Sequence, residues 1–175
     1  MKTFQEFMVE CSQLEESSLS RIVGKAKKKG VAILSGSRGD KSSKENKARA
    51  KQLDKDIRGK GYPGATKVQG RWDERDKKTG ETKKVKERSH VVTSGKKSKK
   101  DFKKDMKKLG KKYKQDAVLV QTKKTGTLSA TRKGGLGKDS QGKDVKRVKA
   151  GTLKPGRTSA QGDTKIKGKT FTYEK

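Results

Sequence analysis

The chain has 175 residues, 50 of them Lys or Arg and 20 Asp or Glu, for a formal net charge of +30. Leu, Ile, Val and Phe supply only 28 positions, a share at which high net charge favours solvated chain, so any folded core must be small. No apolar run approaches the roughly 18 residues of a membrane span, and one Cys11 and one His90 exclude internal disulfides, cysteine metal clusters and a His-rich metal site.

The first predicted element is a helix over residues 3–15. Thr3 followed by Glu6 forms a capping box, in which each side chain can satisfy the other's backbone amide. Phe4, Phe7, Met8, Cys11 and Leu14 then share one face, with Glu6, Glu10 and Glu15 elsewhere. This acidic start, Lys2 against four glutamates, contrasts with the basic remainder and is no secretory signal. A helix this short is marginal alone in water, so its apolar stripe either calls for a partner surface or packs on its own domain. Residues 17–30 read as a basic linker.

An alternating rhythm fills residues 31–132. VAILSG (31–36) is a short β-rich run, and 43–58 is helical, with Ala50, Leu53 and Ile57 spaced three and four apart. GYPG (61–64) turns the chain. ATKVQGRW (65–72) and ERSHVVTS (87–94) read as strands joined by a solvated loop over 73–86. A second helix, capped by Ser98 or Asp101, aligns Phe102, Met106, Leu109 and Tyr113. DAVLVQT (116–122) is the fourth strand, and TLSATR (127–132) is a candidate extra one. The order β-α-β-β-α-β predicts an α+β fold, a small ferredoxin-like sandwich with two helices on one face of a four-stranded sheet. Residues 133–175 form a Gly/Lys-rich basic tail, flexible over 133–163, whose end either adds an edge strand at 166–173 or stays loose.

Catalytic patterns are sparse. His90 lies in a predicted strand with no nucleophile–base arrangement around it and reads as structural. GSRGDK (36–41) follows a strand but lacks the spacing of a phosphate-cradling glycine loop, and its Arg-Gly-Asp triplet reads as chance. Trp72 reads as core filling rather than a base-stacking platform. These patterns predict a protein that is not an enzyme, with no cofactor and no metal. Binding chemistry is better supplied: Lys100, Lys103, Lys104, Lys107, Lys108, Lys111 and Lys112 crowd the second helix. Such hydrated point charges suit nonspecific contact with the phosphates of DNA.

MKTFQEFMVE resembles the capsid-targeting leader of internal head proteins in T-even-type tailed phages, including the myoviruses of cyanobacteria. On that resemblance Met1, Lys2, Thr3, Phe4, Glu6, Phe7, Met8 and Glu10 target the chain to the prohead scaffold core. Leu14, Glu16 and Ser17 frame a prohead protease cut after Glu16. The resemblance implies an internal virion protein, packaged in the phage head with DNA and ejected into the host cytoplasm, with no membrane partner. Two alternatives stand beside it: an injected effector that inhibits a host defence enzyme through a host-protein contact, and a basic RNA-binding protein. The body, roughly residues 30–131, also resembles a small uncharacterised bacterial and phage family through NKARAKQLDKDIRGKGY, RSHVV and YKQDAVL, and that likeness implies no activity.

Overall fold

The computed structural model describes residues 22, 24–25, 28–75, 82–122, 125–155, 162–166 and 169–174. The targeting residues from Met1 to Glu10 and the cleavage residues Leu14, Glu16 and Ser17 lie outside them. The first six elements are β1 (Val31–Ser35), α1 (Ser43–Gly59), β2 (Thr66–Arg75), β3 (Thr82–Thr93), α2 (Lys99–Lys112) and β4 (Ala117–Gln121). Four strands follow: β5 (Gly126–Ala130), β6 (Arg147–Pro155), β7 (Gly162–Ile166) and β8 (Lys169–Glu174).

The predicted α+β class holds. β4, β1, β3 and β2 lie side by side in that order, all antiparallel, as a split βαβ sandwich requires. Both helices pack on one face of this half of the sheet. The later strands extend the order through β7, β8, β6 and β5 back to β4, closing an eight-stranded barrel.

Two segments differ from the sequence reading. Most of 73–86, expected as loop, is strand: β2 runs to Arg75, β3 begins at Thr82, and Trp72 pairs with Val85. Within 133–163, expected as flexible, β6 spans Arg147–Pro155 and β7 begins at Gly162. The reason is the same in both places. A strand paired on both sides has its backbone groups satisfied, so it tolerates charged side chains and needs few apolar residues. β6 lies between β5 and β8, and only Ala150 of its described residues packs against the interior cluster.

Strand alternation divides the apolar residues between two cores. Ala32 and Leu34 of β1, Val92 of β3, and Val118 and Val120 of β4 face the helices, where they meet Leu53, Ile57, Phe102, Met106 and Leu109. Val31, Ile33, Val68, Val91 and Leu119 point the other way, into the barrel, and Ile22 joins them.

Helix ends follow local chemistry. Ser42 and Glu45 form a reciprocal capping box on α1, with Glu45 N donating to Ser42 Oγ at 3.2 Å and Ser42 N to Glu45 Oε2 at 2.9 Å. Of the two expected caps on α2, Ser98 fills the role, accepting from Asp101 N at 3.1 Å. The helices then lock each other crosswise. Tyr113 at the end of α2 donates to Asp56 of α1 at 2.7 Å, and Tyr62 beyond α1 donates to Asp105 of α2 at 2.8 Å. Lys112 and Lys60 join the same two carboxylates at 2.6 and 3.4 Å.

Candidate functional site

β1 ends at Ser35, and beyond it the barrel interior opens to solvent as a cavity of about 890 Å³, within the usual range for small-molecule sites. Ile33, Leu119 and Leu128 give it apolar walls, while Arg38, Asp40, Glu87, Asp116 and Arg132 bring charge to it. These residues come from β1 and the β1–α1 loop, β3, the α2–β4 turn, β4, β5 and the β5–β6 loop.

The mouth is built by specific bonds. Ser35 N donates to Gln115 Oε1 at 2.8 Å, tying β1 to the α2–β4 turn. Arg49 reaches from α1 to donate to Gly36 O at 2.6 Å and to Tyr113 O at 2.7 Å, holding both loops. Asn46 brackets Arg38: it accepts from Arg38 N and donates to Arg38 O, both at 2.9 Å. On the far side, Thr131 Oγ1 donates to Gln115 O, and Thr131 N to Asp116 O at 2.9 Å. Gly135 lies so close to Asp116 that a Cβ there would sit 2.2 Å from its carbonyl oxygen. The same loop turns on Gly134, Gly137 and Gly142, at φ +69°, +77° and +73°, conformations that L side chains rarely adopt.

Charge at the mouth is paired. Arg38 donates to both carboxylate oxygens of Asp40, Nε at 2.7 Å and Nη2 at 3.1 Å. That hydrogen bond and the opposite charge hold the guanidinium more firmly protonated and lower the Asp40 carboxyl. Arg132 Nε donates to Asp116 Oδ1 at 2.6 Å, and the same bond raises Arg132. Glu87 is half-buried in the wall, two residues along β3 from Ser89, which faces Ser35.

Ser35 is not poised as a nucleophile. Ser35 Oγ donates to Arg88 O at 2.7 Å and accepts from Ser37 N at 3.0 Å, so its proton is committed to a backbone carbonyl. His90 faces away from the cavity, opposite Leu34 under α1, and is 1% exposed. Burial lowers its imidazole below the ordinary range, keeping it neutral. Among the described residues no group of three His, Cys, Asp or Glu could hold a metal ion. What the arrangement suits is a small molecule with an apolar body and a charged, zwitterionic end.

The predicted lysine cluster lies mostly elsewhere. Lys100, Lys103, Lys104 and Lys108 are exposed on α2 and Lys107 is half-buried; Lys112 is paired with Asp56. Only Lys111 lines the cavity. Sequence reasoning missed Arg38, Asp40, Glu87, Asp116 and Arg132. The one available signal was GSRGDK: a charged loop between a buried strand and a capped helix, set aside as chance.

Comparison with known proteins gives the site a chemical context. The family model described as the S-adenosylmethionine lyase family matches residues 32–174. No curated protein matches the chain. Two solved structures of a phage SAM lyase are similar at 18% identity. The one in complex with S-methyl-5'-thioadenosine covers 69% of this chain and 85% of its own, with a TM-score of 0.34. The one in the apo state covers 71% and 89%, with a TM-score of 0.39. These two likenesses are too distant to carry an argument; the family match spans most of the chain and does.

That match overturns the functional expectation from the leader and the lysines. An internal head protein, a non-enzyme, and partners made of packaged DNA, prohead scaffold and prohead protease are all replaced by an enzyme family acting on a small molecule. So are the injected inhibitor of a host enzyme and the RNA-binding protein. The physical reason is that net charge reports on solubility and association, not on what a cavity holds. The leader lies outside the matched residues.

Proposed function

Because the chain belongs to the S-adenosylmethionine lyase family, we propose that it cleaves S-adenosylmethionine at the bond between sulfur and the amino-acid arm, in the cavity at the open end of the barrel. The family match carries this reading. The substrate's chemistry then defines what the protein must supply. A sulfonium is already a good leaving group, and the substrate's own carboxylate lies at five-membered-ring distance from Cγ. As a carboxylate oxygen bonds to Cγ, the C–S pair returns to sulfur, giving neutral methylthioadenosine and homoserine lactone. No water enters and no proton need move.

This step annihilates two charges, so it runs faster where water is excluded and the dielectric is low. Ile33, Leu119 and Leu128 supply such walls. The remaining task is to fold the flexible amino-acid arm so that carboxylate and Cγ meet in line, a matter of proximity and orientation. We assign Glu87, the half-buried acid of the wall, to the cationic end of the substrate. Consuming this methyl donor would starve any enzyme that depends on it in the same compartment.

The test is direct. Purified protein incubated with S-adenosylmethionine should release methylthioadenosine and homoserine lactone in equal amounts by NMR, with or without a chelator. Unchanged substrate after prolonged incubation rejects the reading.

A further inference from the structure

Resting on that reading, we propose that Arg38 and Arg132 are specificity-determining residues that receive the substrate's α-carboxylate at the cavity mouth. They line the same cavity from separate loops, one after β1 and the other after β5. Each is within electrostatic reach of the other's surroundings: Asp116 acts on Arg38, and Arg38 in turn disfavours the charge on Arg132.

Both forks are aimed by an aspartate that leaves donors over. Asp40 takes Nε and one Nη2 hydrogen of Arg38, leaving Nη1. Among the described residues, Asp116 takes Nε of Arg132 and leaves both terminal nitrogens. Planar forks of this kind match a carboxylate, whereas Lys111 and Lys114 on the same lining offer point charges. Asn46 fixes the backbone of Arg38 on both sides, so that fork is held in place before substrate arrives.

The pairing also tempers the grip. The carboxylate that docks here is the nucleophile, and a fully desolvated, unpaired arginine would trap it. Arg38 and Arg132, with side chains 32% and 54% exposed and each shared with an aspartate, grip the group less tightly than unpaired arginines would.

The experiment uses R38Q and R132Q in the full chain, with methylthioadenosine and decarboxylated S-adenosylmethionine as probes that lack the carboxylate. Each substitution is expected to raise KM for S-adenosylmethionine ~10-fold, the loss of one charge-assisted contact. Kd for methylthioadenosine and Ki for the decarboxylated analogue should stay within about twofold of wild type, which also shows the cavity intact. Unchanged KM in both variants overturns the assignment. So does an equal loss of affinity for all three molecules, which marks collapse of the site. An active wild type beside unaffected variants removes only the carboxylate subsite; an inactive wild type removes the lyase reading and this inference with it.

Discussion

Glu87 and His90 lie three residues apart on β3 and have opposite fates, because alternation sends one to the cavity wall and the other under α1. E87Q keeps shape and removes charge. Its kcat/KM should fall ~100-fold, in the range for losing one preorganised electrostatic group, with the fold retained by circular dichroism. Burial lowers the His90 pKa, with Asp54 and the Ala50 backbone favouring its charge and Lys67 opposing it. The unfolded chain therefore takes up this proton first. His90 stability is present above the unfolded value of about 6.5 and is lost as pH falls through the lower folded value. H90L should flatten urea midpoints between pH 7 and pH 5, where wild type declines. In the sequence both residues sit in ERSHVV, and their type and spacing say nothing of which face leads to a cavity.

At the scale of elements, the two helices were the most legible features, since caps and three-four spacing are local. Their mutual locking was not. Burial alone would raise the carboxyls of Asp56 and Asp105. Hydrogen bonds outweigh it and lower both, from Lys112, Tyr113 and Gln52 on Asp56 and from Tyr62 and Lys60 on Asp105. Their stabilisation is present above the unfolded pKa of about 3.9 and disappears as pH drops through the folded values. D56N should weaken the protein at pH 6 and shrink its acid-induced loss in a urea titration down to pH 2. Gly110 marks where α2 meets the sheet. A Cβ there would lie 2.5 Å from Val118 Cγ1 and 2.7 Å from Thr131 Cγ2. G110A should cost about 1–3 kcal/mol through overpacking despite alanine's better helix propensity, seen as a lower Tm.

Over the whole molecule, a formal charge of +30 faces a substrate that itself carries a net charge of about +1 near neutral pH. Long-range repulsion then slows encounter, and salt screens it. KM for S-adenosylmethionine should fall, not rise, as ionic strength increases from about 20 to 200 mM, a range over which the screening length shortens severalfold. Barrel closure is the other global property. Removing residues 147–175 leaves β5 and β2 without their outer partners, and exposed edges recruit other chains. Size-exclusion chromatography of that truncation should show higher oligomers and lost activity.

The amino-acid order alone determined the α+β class, both helices and their caps, and the βαββαβ core, because period and capping act between residues a few positions apart. Composition misled where local signals were weak, as in the weakly patterned strands of the barrel's second half and in the functional assignment drawn from charge. Tertiary structure decided the cavity. Arg38, Glu87, Asp116 and Arg132 are spread over some ninety positions, and only the pairing of β1 with β3 and β4, and of β4 with β5, gathers them around one opening. A site assembled by long-range strand pairing leaves no spacing rule along the chain.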